Sequence, residues 1–228
     1  MNQPDLTLFY SPKACSLASH ILLEESGLTY VARAVNIRAG DNRSPEYLQL
    51  NPKGTVPALK VDQTIVTESP AILSHIADLD PQLQLLPRVG TVQRAVAQEW
   101  LNYLSGSVHG AYRAIFRPQH YAGEHEEAIR QVRARGHALL CEALHKIDQA
   151  LAGKSFALGE HFSAVDPYLL VFYLWSEDER VDCARLPELA NYRALAERLA
   201  QRRSVRQAIG REREVRRYDL PSFLEVCA

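Results

Sequence analysis

Four short stretches of this 228-residue chain combine residues whose types and spacing could do chemistry. In S-P-K-A-C-S, Cys15 follows a strand and a Pro-containing turn, and so falls at the amino end of a helix. Free N–H groups and the positive end of the helix dipole favour a thiolate there, its own or one brought by a ligand. A cysteine so placed also serves simply as a small buried residue. Val56-Pro57 is the second stretch. Proline directly before an apolar strand fits a cis peptide that opens the Val56 backbone to a peptide-like ligand, and it equally fits an ordinary trans loop. Glu68-Ser69-Pro70, the third, joins a carboxylate, a hydroxyl and a helix start. Such a start binds a carboxylate while the neighbouring Glu takes an ammonium, which suits the two charges of an α-amino acid; alternatively Ser69 is a plain N-cap. In the fourth, Asn102, Ser105, Gly106, His109 and Tyr112 or Arg113 recur at three- and four-residue spacing among apolar neighbours. That pattern suits a helix walling a cleft, with His109 either a satisfied half-buried imidazole or a group that stabilises a thiolate across it.

The elements that must position these residues divide the chain sharply. Leu6–Tyr10 reads as a strand, Cys15–Glu25 as a helix ended by Gly27, and Thr29–Val35 as a second strand. Ser44-Pro45-Glu46 starts a short helix, Asn51-Pro52-Lys53-Gly54 breaks it, and strands Ala58–Val61 and Thr64–Thr67 follow across the link Asp62-Gln63. Ser69-Pro70 then opens a helix to about Ala77, giving the order βαβ, helix, ββα. The expected organisation is an α/β domain over residues 1–80, a linker over 81–90 announced by D-P-Q-L-Q-L-L-P, and an all-helical domain over 91–228. Within the last, Val132, Gly136, Leu139, Leu140, Ala143, Leu144, Ile147 and Leu151 hold one apolar helix face.

With 26 basic against 27 acidic side chains, the composition makes no case for nucleic acid or an anionic membrane as partner. The longest apolar run, Tyr168 to Trp175, is too short to span a bilayer, and the start M-N-Q-P-D-L-T-L-F-Y lacks the basic and apolar regions of a signal peptide. The expected location is the cytoplasm. Cys15, Cys141, Cys183 and Cys227 show no C-x-x-C pairing and no nearby histidines, so free thiols are expected rather than a disulfide framework, and no metal site. Cys141, Cys183 and Cys227 read as structural, and the seven arginines between Arg202 and Arg217 as a solvated helix face and tail.

Six motifs, in order and nearly over the full length, resemble the cytosolic glutathione transferases, most closely the bacterial beta class. They are L-F-Y-S-P-K-A-C-S-L-A-S-H at Leu8–His20, N-P-K-G-T-V-P-A-L at Asn51–Leu59, T-E-S at Thr67–Ser69, E-W-L-N-Y at Glu99–Tyr103, V-H-G followed by F-R-P at Val108–Pro118, and F-S-A-V-D-P-Y-L at Phe162–Leu169. The resemblance implies a thioredoxin-like first domain with a mixed four-stranded sheet, an all-helical second domain, and a homodimer. It implies glutathione as co-substrate, joined to a small hydrophobic electrophile, with a possible glutathione-dependent disulfide reductase activity. By the same resemblance Cys15 meets the sulfur of glutathione and forms a mixed disulfide with it, with His109 as its partner from the helical domain. Val56, before a cis Pro57, pairs with the cysteinyl part; Glu68 and Ser69 hold the γ-glutamyl end; Asn102, Gly106, Ser107 and Val108 line the other side. Tyr10 and Ser16 match positions near the sulfur, Tyr112 and Phe116 with the tail form the electrophile pocket, and Ser163 and Asp166 match a capping box.

The chain departs from the family pattern in three places. Gly110 stands where a lysine is common, and the basic residue expected after the second strand falls in a shortened segment, leaving Arg38 as the nearest substitute for a contact to the glycyl carboxylate. The tail from Arg211 to Ala228 is long enough to cover the electrophile pocket or to pack at a dimer interface. Gly110 and the arginine-rich tail suit an alternative, a non-catalytic scaffold of the same fold that docks a protein partner. The related isomerases fit less well, because their serine-rich signature is absent from Ser11–Ser16.

Overall fold

The computed structural model describes residues 3–182 and 187–225, so Cys183 and Cys227 lie outside the described residues. Strand β1 (Leu6–Tyr10) runs parallel to β2 (Val31–Ala34) and antiparallel to β3 (Ala58–Val61), which pairs antiparallel with β4 (Thr64–Thr67). The sheet order is β2-β1-β3-β4, the mixed four-stranded sheet expected. Alternation along β1 sends its side chains to both faces. Leu8 meets helices α1 (Leu17–Ser26) and α3 (Ser69–Leu79) in a core with Ile21, Leu22, Ile72 and Leu73, all fully buried. Phe9 joins Tyr47, Val35, Val56 and Ala58 on the other face, beneath α2 (Pro45–Leu50).

Local chemistry explains these limits. Gly27 ends α1 in the left-handed region at φ 68°, open to glycine without steric cost, and Ser44 caps α2 by accepting from Tyr47 N–H at 3.2 Å. Helix α1 begins at Leu17, two residues later than expected, because Cys15 and Ser16 belong to the turn. The stretch read as a linker is tied down. Arg94 donates to Asp78 at 2.8 and 2.6 Å and to Pro87 O at 3.1 Å, stapling α3 to the next helix across the connection.

Among the described residues everything after β4 is helical apart from the isolated bridge Phe156–Gly159. Helix α4 (Val92–Tyr103) does not run smoothly into α5 (His109–Phe116); a π-helical turn at Leu104–Val108 intervenes. The wider turn changes the angular phase of the face on which Asn102 and His109 were expected to line up, and such turns recur at functional sites. Short α6 (Gln119–Ala122) leads to α7 (Glu126–Leu151), which receives α5 at Gly136; a Cβ there would meet Ala114 Cβ at 2.9 Å. Helix α8 (Asp166–Ser176) is apolar almost all round and buried. Its start carries the expected capping box: Ser163 N–H donates to Asp166 Oδ2 at 2.7 Å, and Val165 N–H donates to Ser163 Oγ at 3.3 Å.

The arginine-rich segment keeps the solvated helix face expected, with Arg203, Arg206 and Arg211 exposed, but it is not a free tail. After α9 (Ala190–Ala200) it forms α10 (Arg203–Val215), which packs on α1 with Val205, Ala208 and Ile209 buried. Arg202 and Ser204 hydrogen-bond Glu25, Arg211 pairs with Glu24 at 2.7 Å, and buried Glu212 lies 3.2 Å from His20. Charge composition alone could not show this, since all four contacts depend on partners some 180 residues earlier in the chain. Among the described residues the four-residue α11 (Ser222–Glu225) follows.

Candidate active site

Cys15 ends the β1–α1 turn, and its thiol donates to the Val56 carbonyl at 3.5 Å. The Val56–Pro57 peptide is cis. Ser69, the first residue of α3, sets its hydroxyl against the Cys15 thiol and the Tyr168 hydroxyl. Glu68, just before it, takes φ 73°, an unusual conformation for a side-chain-bearing residue, and directs its carboxylate to Lys53 Nζ at 2.7 Å. The cluster therefore unites the first three sequence stretches, with Lys53 and Tyr168 added. Both lay inside quoted motifs, yet their placement depends on the sheet and on α8, which no local pattern reports.

His109 opens α5 with its ring against Phe172 and Trp175, at 5.8 and 5.3 Å between centroids. It shares its charged neighbours, Arg113 and Glu68, with Cys15. Burial, reinforced by the Arg113 cation one turn on, lowers the imidazole to about 4. His109 is accordingly neutral at neutral pH, a hydrogen-bonding group rather than a cation. Arg113 is the positive charge that bears on Cys15 and His109, at a position where sequence spacing could not choose between it and Tyr112.

Burial also decides the state of Cys15. Desolvation pushes its thiol up to about 11, against the opposing Ser69 hydroxyl, so the expected helix-terminus thiolate is a thiol. Other expectations need the same kind of correction. The Ser16 hydroxyl, fully buried, accepts from Ser11 N–H at 3.1 Å and donates to Ser11 O at 3.2 Å, so it closes the turn instead of facing a ligand. Tyr10 is 3% exposed against the His20 ring, and burial raises its hydroxyl above the usual range. Val108 is fully buried, whereas Asn102, Gly106 and Ser107 are exposed along the same stretch.

A cavity of about 590 Å³ lies beside the turn that leads to Cys15, bounded by Lys13 and Ala14 of that turn, Arg38, Trp175, and Tyr218 and Leu220 of the tail; Cys15, Val56, Glu68, Ser69 and His109 do not line it. Tail and Arg38 thus meet at one cavity. Tyr112 does not line it: fully buried, it stacks on Phe172 and donates its hydroxyl to Phe172 O at 2.6 Å. Phe116 lies behind the wall, its ring between Trp175 at 5.6 Å and the Arg180 guanidinium at 4.1 Å. Apolar residues at helical spacing mark a buried face, and only packing distinguishes core from cavity wall.

Residues 14–79 match the glutathione S-transferase N-terminal domain. Over 209 residues the chain is 35% identical to glutathione S-transferase GstA of Escherichia coli O157:H7, covering 91% of this chain and 98% of that one. The chain belongs to the glutathione S-transferase family. Solved family structures superpose closely. A bacterial beta-class glutathione S-transferase from Sphingomonas chungbukensis is 35% identical with a TM-score of 0.78, covering 90% of this chain and 98% of its own. A glutathione transferase homologue from Sulfitobacter, solved with bound glutathione, is 29% identical with a TM-score of 0.82 over 91% and 98% of the two chains. Among the described residues no helix is long and apolar enough to cross a membrane.

Proposed function

We propose that this glutathione S-transferase joins the glutathione thiol to small, largely apolar electrophiles at the Cys15 cluster. The observation that carries the reading is the convergence of Cys15, the Val56 carbonyl, Ser69 and Glu68 from three separate segments. Glu68 takes the ammonium of the γ-glutamyl end and the start of α3 its carboxylate, with Lys53 turning from Glu68 to that carboxylate. Val56 pairs with the cysteinyl backbone, setting the ligand's sulfur beside Cys15. Arg38, free of other partners among the described residues, and Arg113 supply the cations that Gly110 does not. Residues 1–80 act as the glutathione-binding domain, 91–228 supply the second-substrate wall, and the working form is a homodimer.

The chemistry follows from the protonation states. The glutathione thiol releases its proton to solvent water on binding, and the resulting thiolate accepts hydrogen bonds from the Cys15 S–H and from neutral His109. It then attacks the electrophilic carbon, forming the C–S bond as a leaving group departs or an adjacent bond takes up the electron pair. A thiol held near 11 is a good donor and a poor nucleophile, so conjugation dominates and mixed-disulfide exchange by Cys15 is slow at neutral pH. The scaffold alternative is the less favoured reading, because Arg202 and Arg211 of the arginine segment are engaged by Glu25 and Glu24 of α1.

Calorimetric titration of the reduced protein with glutathione tests the reading. Micromolar to low-millimolar binding at about one site per chain is expected, and no heat at millimolar ligand overturns it. Reactivity tests the thiol separately. Alkylation of Cys15 in the free protein climbs about tenfold per pH unit from 7 to 10 and levels near 11. A curve that levels near 8 or 9 would instead show the helix terminus prevailing over burial. Turnover shows no break near pH 6.5, because His109 is already deprotonated above about 4.

A further inference from the structure

Lys13, two residues before Cys15, sits at φ 64°, in the left-handed region that residues with a Cβ disfavour. Both of its backbone polar groups are held by side chains from the helical half. Its N–H donates to Glu212 Oε2 of α10 at 3.1 Å, and its carbonyl accepts from Trp175 Nε1 of α8 at 3.1 Å. The Lys13 ammonium adds an ion pair to Asp178 at 3.6 Å, just beyond α8. Glu212 and its other partner, His20, are both fully buried.

Docking of α10 on α1 does not explain this arrangement. Arg202 and Ser204 on Glu25, Arg211 on Glu24, and the buried Val205, Ala208 and Ile209 already join the two helices. What Glu212 adds is a grip on the turn itself. A buried carboxylate is costly to desolvate, and one of its two oxygens is spent on a single backbone N–H of the residue that needs holding most. Trp175 grips the opposite side of the same residue, and its ring also packs on His109.

We infer that Glu212 and Trp175 are positioning residues that seat the Cys15 thiol against the Val56 carbonyl by holding the Lys13 backbone in its left-handed conformation. The helical half thereby sets the geometry of a thiol that belongs to the sheet half. The inference rests on the reading of Cys15 as the thiol beside the glutathione sulfur, but its consequences for the thiol can be read without turnover.

The test compares Glu212→Ala, Glu212→Gln and Trp175→Phe, alone and with Lys13→Gly, in the full chain. Three quantities are measured: the rate of Cys15 alkylation by iodoacetamide, located by peptide mass; kcat and KM for glutathione with a chloronitrobenzene electrophile; and the melting temperature. Glu212→Ala and Trp175→Phe are expected to release the turn, raising Cys15 alkylation about fivefold or more while kcat falls. Glu212→Gln keeps an acceptor for Lys13 N–H and retains the parent alkylation rate. Lys13→Gly restores slow alkylation to Trp175→Phe, because glycine occupies φ near 64° without an external hold. If both single variants lower the melting temperature yet leave alkylation within twofold of the parent, the contacts only stabilise the fold and the proposal fails. It also fails if Lys13→Gly leaves Trp175→Phe alkylation fast. Should Glu212→Ala not fold, the Trp175→Phe and Lys13→Gly pair decides the matter. Failure of the glutathione reading shows elsewhere, as absent glutathione binding by the parent protein.

Discussion

Glu68→Ala weakens glutathione binding by about 2 kcal/mol, roughly 30-fold in dissociation constant, through loss of a charge-assisted hydrogen bond to the ligand's ammonium. The side chain is exposed and its ion pair with Lys53 is a surface one, so that pair contributes little to folding and the melting temperature stays close to the parent's. Glu68→Gln, which keeps an acceptor but no charge, loses less. Calorimetric titration of both variants reads the effect. Equal affinity for glutathione in Glu68→Ala and the parent would remove the γ-glutamyl end from this site, and with it the present orientation of the ligand.

Asp166→Ala has the largest expected effect on stability. The carboxylate is fully buried at the start of α8 and accepts from Ala157 N–H at 2.8 Å, Ser163 N–H at 2.7 Å and the Ser163 hydroxyl at 2.8 Å. Alanine leaves these donors buried without an acceptor, at about 3 kcal/mol, or roughly 6–12 °C in melting temperature for a chain of this size. Asp166 also makes stability depend on pH. Burial raises its carboxyl from the usual 3.8 to about 6, with the three donors opposing. The native state then holds this proton more tightly than the unfolded chain does. The contribution is full below about 3.8 and is lost as pH rises through about 6. Asp166→Asn removes the titration, so thermal melts between pH 4 and 7 should show a flatter profile than the parent. Parallel profiles would exclude Asp166 as their source.

Much of the framework is legible without tertiary contacts because the forces that set it are local. Gly27, Ser44 with Pro45, and Ser163 with Asp166 stop or start helices through dihedral freedom and capping bonds made within a few residues. The run of apolar residues along α7 likewise reports which face is covered. Cys15, Val56, Glu68 and Ser69 could each be singled out because a helix start or a proline before a strand is a property of neighbouring residues.

Desolvation is not such a property. Whether Cys15 is a thiolate or a thiol, and His109 a cation or a neutral ring, depends on side chains brought over them from α3, α5 and α8. The same non-local covering put Tyr112 in the core and turned a run of arginines into a helix docked on acidic partners of α1. Sequence by itself determined the elements and which residues could face a ligand, since backbone preferences act within a few residues. Only the tertiary structure decided their charge states and who holds them in place, because removal of water is an act of the whole fold.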